Sequence, residues 1–145
     1  MALLLVGYDG SPPSRRAFER ALARGKGMHD AILVVSVLPP GVRESSLSRM
    51  MPAGIALPET LNGTFEQHTR ERLEEVLATA KAAGVQARGE VRTGSPVECL
   101  LAAAREAKAD EIILGAKSYE GPDKEVGPNA EQIASRAQIP VTLVP

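Results

Sequence analysis

Leu3-Leu4-Leu5-Val6-Gly7-Tyr8-Asp9-Gly10-Ser11 is the stretch on which the fold turns. A continuous apolar run, stopped by glycine and not alternating with polar residues, reads as a strand buried on both faces. No basic residues precede it and no cleavage site follows, so it is read as a strand and not as a signal peptide. A strand covered on both faces needs helices above and below its sheet. The rest of the chain must supply them.

It does so by alternation. Ser11 and Ser14 flank Pro12-Pro13, and Phe18, Ala21 and Leu22 then recur at helical spacing, with a stop expected near Gly25 or Gly27. Ile32 to Val37 form a second buried strand, ended by Pro39-Pro40. Residues 41–63 keep neither period and are expected to be a long, mobile loop. Helical order resumes after Thr64, where Leu73, Val76, Leu77 and Ala80 mark one face before Gly84. Val85 to Val91 read as a third strand, polar enough to lie at an edge. Thr93-Gly94-Ser95-Pro96 is a turn that starts a third helix, with Ser95 as its N-cap, and Val97, Leu100, Leu101 and Ala104 form its apolar face. Glu111 to Gly115 make strand four. A polar loop over 116–128 leads to a fourth helix marked by Ala130, Ile133, Ala134 and Ala137, and Pro140 to Val144 close the chain as strand five. The whole reads β-α-β-α-β-α-β-α-β: a single α/β domain with an open, doubly wound parallel sheet of five strands and four helices.

Composition narrows the function. The 145 residues carry 17 basic and 18 acidic side chains, a balance that leaves no large footprint for a phosphate backbone. Aromatic residues make up 3% of the chain and Trp is absent, too few rings to stack single-stranded bases. No nucleic acid is therefore expected as a partner. No apolar run approaches the roughly 20 residues of a membrane span, so no membrane is expected either. One cysteine, Cys99, cannot close an internal disulfide, which suits a reducing cytoplasm. Beside the apolar face of its helix it reads as a structural thiol. His29 and His68 lie far apart without motif partners and read as surface histidines. The run Arg70-Glu71-Arg72 with Glu74 and Glu75 reads as a solvated helix face.

An open sheet whose strand order reverses leaves a crevice beyond its carboxyl ends. Strand one delivers Gly7, Tyr8, Asp9 and Ser11 there. Asp9 suits a ribose hydroxyl, an amino group or a metal ion, and suits equally a turn or helix cap. Strand four delivers Gly115, Lys117 and Ser118, followed by Gly121, Lys124 and Gly127. Glycines, a helix N-terminus and two lysines together make a phosphate cradle conceivable, although spacing alone favours an ordinary loop.

In this order and spacing the chain resembles a universal stress protein domain over nearly its full length. The matching segments are Val6-Gly7-Tyr8-Asp9-Gly10-Ser11, Ser36-Val37, Thr93-Gly94-Ser95-Pro96, Ile112-Ile113-Leu114-Gly115 and Ile139-Pro140-Val141-Thr142-Leu143-Val144. The resemblance implies strand order 3-2-1-4-5, an adenine nucleotide at the crevice, with Mg when it is ATP, and a homodimer paired through the last strand, Val141 to Val144. It implies further that Asp9 contacts adenine or ribose, that Val37 walls the adenine, and that Gly94 and Leu114 complete that half.

Family members that hold ATP carry Gly-x2-Gly-x9-Gly-(Ser/Thr) after strand four. Here Gly115 matches the first glycine and Gly127 the third, but Ser118 replaces the second and eight residues separate it from Gly127. Pro128 stands where Ser or Thr belongs, so an amide and a hydroxyl are missing together. At about 0.5–1.5 kcal/mol per ordinary hydrogen bond, and more for a charge-assisted one, that weakens phosphate binding about tenfold or more. Asn129 could restore one donor, and Lys117 and Lys124 some charge.

No Gly-x4-Gly-Lys-(Ser/Thr) string occurs, and a receiver domain would need Asp after strand three, where Arg92 and Thr93 stand. A true ATP hydrolase would need a base or metal cluster, and none is recognisable in this sequence. Two readings follow: a stress-response module that binds ATP or AMP at a modified phosphate loop, or a dimeric interaction protein of the same fold that binds no nucleotide. In the first, turnover is expected to be absent or at most very slow ATP hydrolysis.

Overall fold

A computed structural model of the chain describes residues 2–38, 59–116 and 128–145. The elements in chain order are β1 (Leu3–Gly7), α1 (Pro12–Met28), β2 (Ala31–Leu38), α2 (Glu59–Ala82), β3 (Ala87–Thr93), α3 (Pro96–Ala107), β4 (Glu111–Gly115), α4 (Pro128–Arg136) and β5 (Val141–Val144). All strand pairs are parallel, in the order β3-β2-β1-β4-β5. The polar third strand is indeed an edge, and β1 is the centre.

The opening run explains why. Leu4, Leu5 and Val6 are each 0% exposed, and successive side chains point to opposite faces. Leu4 and Val6 pack with Ile32, Val34, Phe18 and Leu73 under α1 and α2. Leu5 packs with Leu33, Val35, Ile112, Leu100 and Ile133 under α3 and α4. Each fully buried Leu, Ile or Val contributes about 1.5–3 kcal/mol, so a central strand without polar positions favours this two-sided burial over any one-sided sheet.

Several boundaries differ from the sequence expectation. Helix α1 runs through Gly25 and Gly27 to Met28, and His29 caps it in the left-handed region at φ 58°. Gly25 is a contact position and not a stop: a Cβ there would lie 2.6 Å from Val85 Cγ1. Helix α2 already includes residues 59–63, expected as loop, because helix propagation needs no apolar face of its own. The rest of that loop, 41–58, lies outside the described residues. Strand β3 is shifted to Ala87–Thr93, since Gly84, at φ 76°, and Val85 complete the turn that ends α2, with Val85 N–H donating to Ala80 O at 2.9 Å. Ala134 is exposed, and among the described side chains of α4 the buried ones are Ala130 and Ile133.

At the amino end of the sheet, two aspartates receive the start of β1. Ala2 N–H donates to Asp30 Oδ1 at 2.9 Å and Leu3 N–H to Asp110 Oδ2 at 2.8 Å. Asp30 is buried, and Arg24 approaches its second oxygen at 3.6 Å while also binding Glu111.

Candidate functional site

Strand β1 pairs with β2 on one side and β4 on the other. The chain direction across the sheet therefore reverses between β1 and β4, and the crevice lies beyond their carboxyl ends. What stands there first is Asp9.

Its position is determined from four directions. Tyr8 N–H donates to Val35 O at 2.9 Å, and the buried Ser36 hydroxyl donates to Tyr8 O at 2.7 Å. Arg72, reaching over from α2, donates Nη1–H to Asp9 O at 2.7 Å. Ser11 N–H donates to Asp9 Oδ1 at 2.9 Å, closing an Asx turn. Gly10 makes the turn possible: its φ is 82°, and a Cβ there would sit 2.6 Å from Arg72 Nη1. Partial burial pushes the Asp9 carboxyl up, but hydrogen bonds from the side chain and amide of Ser11 and from the side chain of Ser14 outweigh it and hold the group below its ordinary value. Asp9 is thus an exposed, ionised carboxylate on a rigid turn.

The start of α1 offers an anion nothing further. Pro12 and Pro13 have no N–H, Ser14 N–H goes to Ser11 Oγ at 3.4 Å, and Arg15 N–H goes to Ser11 O at 3.0 Å. Gly115 closes against this same corner, where a Cβ would stand 2.5 Å from both Pro13 C and Ser14 N. That main-chain contact accounts for the first glycine of the loop in packing terms.

The remaining expected site residues divide. Tyr8 presents only its main chain, because its ring is buried under α1 and meets Phe18 edge-on at 6.3 Å. Leu114 is buried too, with its Cδ2 2.8 Å from where a Gly7 Cβ would be, so both serve the core beneath the crevice. Val37, half-buried, is the penultimate residue of β2, and Gly94 N–H donates to Leu38 O at 2.9 Å, bringing the β3–α3 turn beside it. Ser95 occupies the N-cap of α3, but its side chain makes no capping bond. Cys99 is half-buried, its Sγ facing Gly94. Asn129 is exposed in the first turn of α4. Lys117, Ser118, Gly121, Lys124 and Gly127 lie outside the described residues.

Two residues that hold the Asp9 turn carry no motif in the sequence. Arg72 lies in the run expected to be a solvated face, and its neighbours behave so: Arg70 pairs with Glu66 at 3.1 Å and His68 lies 3.7 Å from Glu71. Arg72 turns inward instead, one residue before the buried Leu73. A cation adjacent to the apolar stripe was the available signal. Ser36, the one polar residue inside an apolar strand, was the other. Among the described residues no cluster of His, Cys, Asp or Glu could hold a metal ion, and no helix is long and apolar enough to cross a membrane.

A doubly wound sheet with a fixed carboxylate at its reversal point defines an open-sheet α/β domain. The model of the universal stress protein family matches residues 3–145, and the chain belongs to that family. Solved structures agree in fold. A universal stress protein from Burkholderia pseudomallei is 23% identical, with TM-score 0.74 over 99% of this chain and 96% of that one. A universal stress protein in complex with cAMP is 23% identical, with TM-score 0.70 over 99% and 95%. The universal stress protein from Archaeoglobus fulgidus in complex with dAMP is 17% identical, with TM-score 0.69 over 100% and 98%. No curated protein matches the chain in sequence.

Proposed function

We propose that this chain is a stress-response module that binds an adenine nucleotide, AMP or ATP, at the carboxyl ends of β1 and β4, with Mg accompanying ATP. The observation that carries the reading is the ionised Asp9 carboxylate, fixed by Ser11, Ser36 and Arg72 at the point where strand order reverses. Such a carboxylate accepts from a ribose hydroxyl or the adenine amino group, and a rigid acceptor loses little entropy on binding. Val37 and the Gly94 turn flank it on the adenosine side. The complexes of two relatives with cAMP and dAMP support an adenosine monophosphate as the minimal ligand. We assign the protein a binding role rather than turnover.

Titration calorimetry of nucleotide-stripped protein with AMP and with ATP, each with and without magnesium, tests this. Micromolar binding that Asp9→Ala abolishes is the expected result, with AMP favoured if Pro128 has weakened the phosphate end. No heat at millimolar nucleotide would overturn it.

The second reading, a dimeric interaction protein without nucleotide, is favoured by Pro128. It is the first residue of α4 and brings no N–H to the helix end nearest the phosphate loop. In both readings we place a second copy along β5, which among the described residues pairs only with β4. The carbonyls of Pro140 and Val144 are taken by Ile112 and Ala116, so the alternating main-chain groups of Val141 and Leu143 face the open edge. Val141→Pro should yield monomers by light scattering, and a persisting dimer would move the interface elsewhere.

A further inference from the structure

At the opposite, amino end of the sheet a cavity of about 240 Å³ opens where the ends of α3 and α4 meet the starts of β4 and β5. Its floor is aliphatic, built by Leu101, Ile112 and Ile139, and its rim carries Arg105, Lys108 and Arg136. None of the residues lining it is acidic or aromatic. Arg136 is already engaged by Glu98, at 2.6 and 3.3 Å. Among the described residues Lys108 has no ion-pair partner, whereas Arg105, which forms no direct ion pair, acts through its charge on the Glu98 and Glu106 carboxylates and helps to hold both below their ordinary values.

Lys108 has a second peculiarity. It caps α3 in the left-handed region at φ 54°, a conformation that suits glycine and strains a side-chain-bearing residue. Its N–H reaches back to the Ala104 and Arg105 carbonyls, which satisfies two of the carbonyls at the negative end of the helix, and the Arg105 and Lys108 cations stand where that end favours positive charge. A strained lysine at a helix stop brings one thing that glycine would not: an ammonium at the cavity mouth.

We propose that this cavity is a second ligand site, separate from the β1–β4 crevice, for a small aliphatic carboxylate. The acid group meets Arg105 and Lys108, and the chain lies over Leu101, Ile112 and Ile139. At roughly 30 Å³ per displaced water the volume equals about eight waters. That suits an acid of about eight to ten heavy atoms and falls below the roughly 300 Å³ of pockets that enclose larger ligands. The absence of rings in the lining favours an aliphatic chain over an aromatic one. An apolar floor with a few convergent charges at one rim is the usual construction of such sites.

The test is a methyl NMR titration of the full chain with hexanoate, hexan-1-ol and hexylammonium as probes. Hexanoate should shift the Ile112 and Ile139 methyl signals and saturate at or below about millimolar concentration. The alcohol should bind at least about fivefold more weakly and the amine not at all. Lys108→Gly should raise the melting temperature, by relieving the left-handed strain, while weakening hexanoate at least about fivefold. Arg105→Gln, on an exposed position, should weaken hexanoate while lowering the melting temperature only slightly, through the lost attraction to Glu98, Glu106 and the helix end. Equal affinity for acid and alcohol, wild-type affinity in both variants, or no saturation by about 50 mM hexanoate would each overturn the assignment.

Discussion

The guanidinium of Arg72 donates to the main-chain oxygen of Asp9 at 2.7 Å, linking the middle of α2 to the turn that follows β1. The two residues are 63 positions apart, and among the described residues Arg72 makes no ion pair. A cation that satisfies a neutral carbonyl in preference to a nearby glutamate is being used for position. Arg72→Met should cost about 1 kcal/mol in urea unfolding and speed amide exchange at Gly10 and Ser11. Arg72→Lys should recover part of the loss, since it offers a point donor without the planar fork. Unchanged exchange in the Met variant would show that Ser36 and Ser11 hold the turn alone.

Acid stability should carry a signature of Asp9. Its folded-state pKa lies below the ordinary 3.8, so its contribution is fully present above 3.8 and is lost as pH falls through the lower, folded value. Asp9→Asn removes that contribution. The gap between wild type and variant should therefore be constant at neutral pH and close only below 3.8. Because Asp9 is exposed, the gap should stay under about 1 kcal/mol. A gap that widened on acidification would reverse the sign of the shift.

Gly115→Ala should be among the most damaging single-methyl additions. The new Cβ would meet main-chain atoms of Pro13 and Ser14 at 2.5 Å, and neither can swing aside as a side chain would. Overpacking of this kind costs about 1–3 kcal/mol, and calorimetric melting should report it. By contrast Gly27→Ala, with nothing within 4 Å, should be neutral or stabilising within α1.

The two aspartates that receive β1 should differ. Asp30 is buried and its loss strands the Ala2 amide and leaves Arg24 with Glu111 alone, so Asp30→Ala should cost about 2–3 kcal/mol. Asp110 works at an exposed site, and Asp110→Ala should cost less than about 1 kcal/mol. Equal losses in denaturant titrations would show that burial is not what separates them.

The fold was legible in the sequence because it rests on short-range patterning. Unbroken apolar runs such as Leu3 to Val6 can be buried only between two layers of helices, and the alternation of such runs with helical periods leaves one architecture. Element ends were less legible where a long-range contact overrode a local signal: Gly25 reads as a stop until Val85 is placed against it, and a left-handed His29 is a stop that its residue type does not announce.

For the site, residue types and motif order placed Asp9, Val37, Gly94 and Gly115 at the carboxyl end of the sheet. Only the tertiary structure separated main-chain from side-chain roles there. The Tyr8 ring and the Leu114 side chain belong to the core, while Arg72 and Ser36, from two other elements, hold the turn in place. The same holds for the Lys108 cavity, whose rim and floor come from segments up to 38 residues apart, as Glu98 and Arg136 are. Periodicity reports which face of an element is buried, because burial acts on each element separately. Which polar group meets which depends on how elements cross in space, and that distance has no local trace in the sequence.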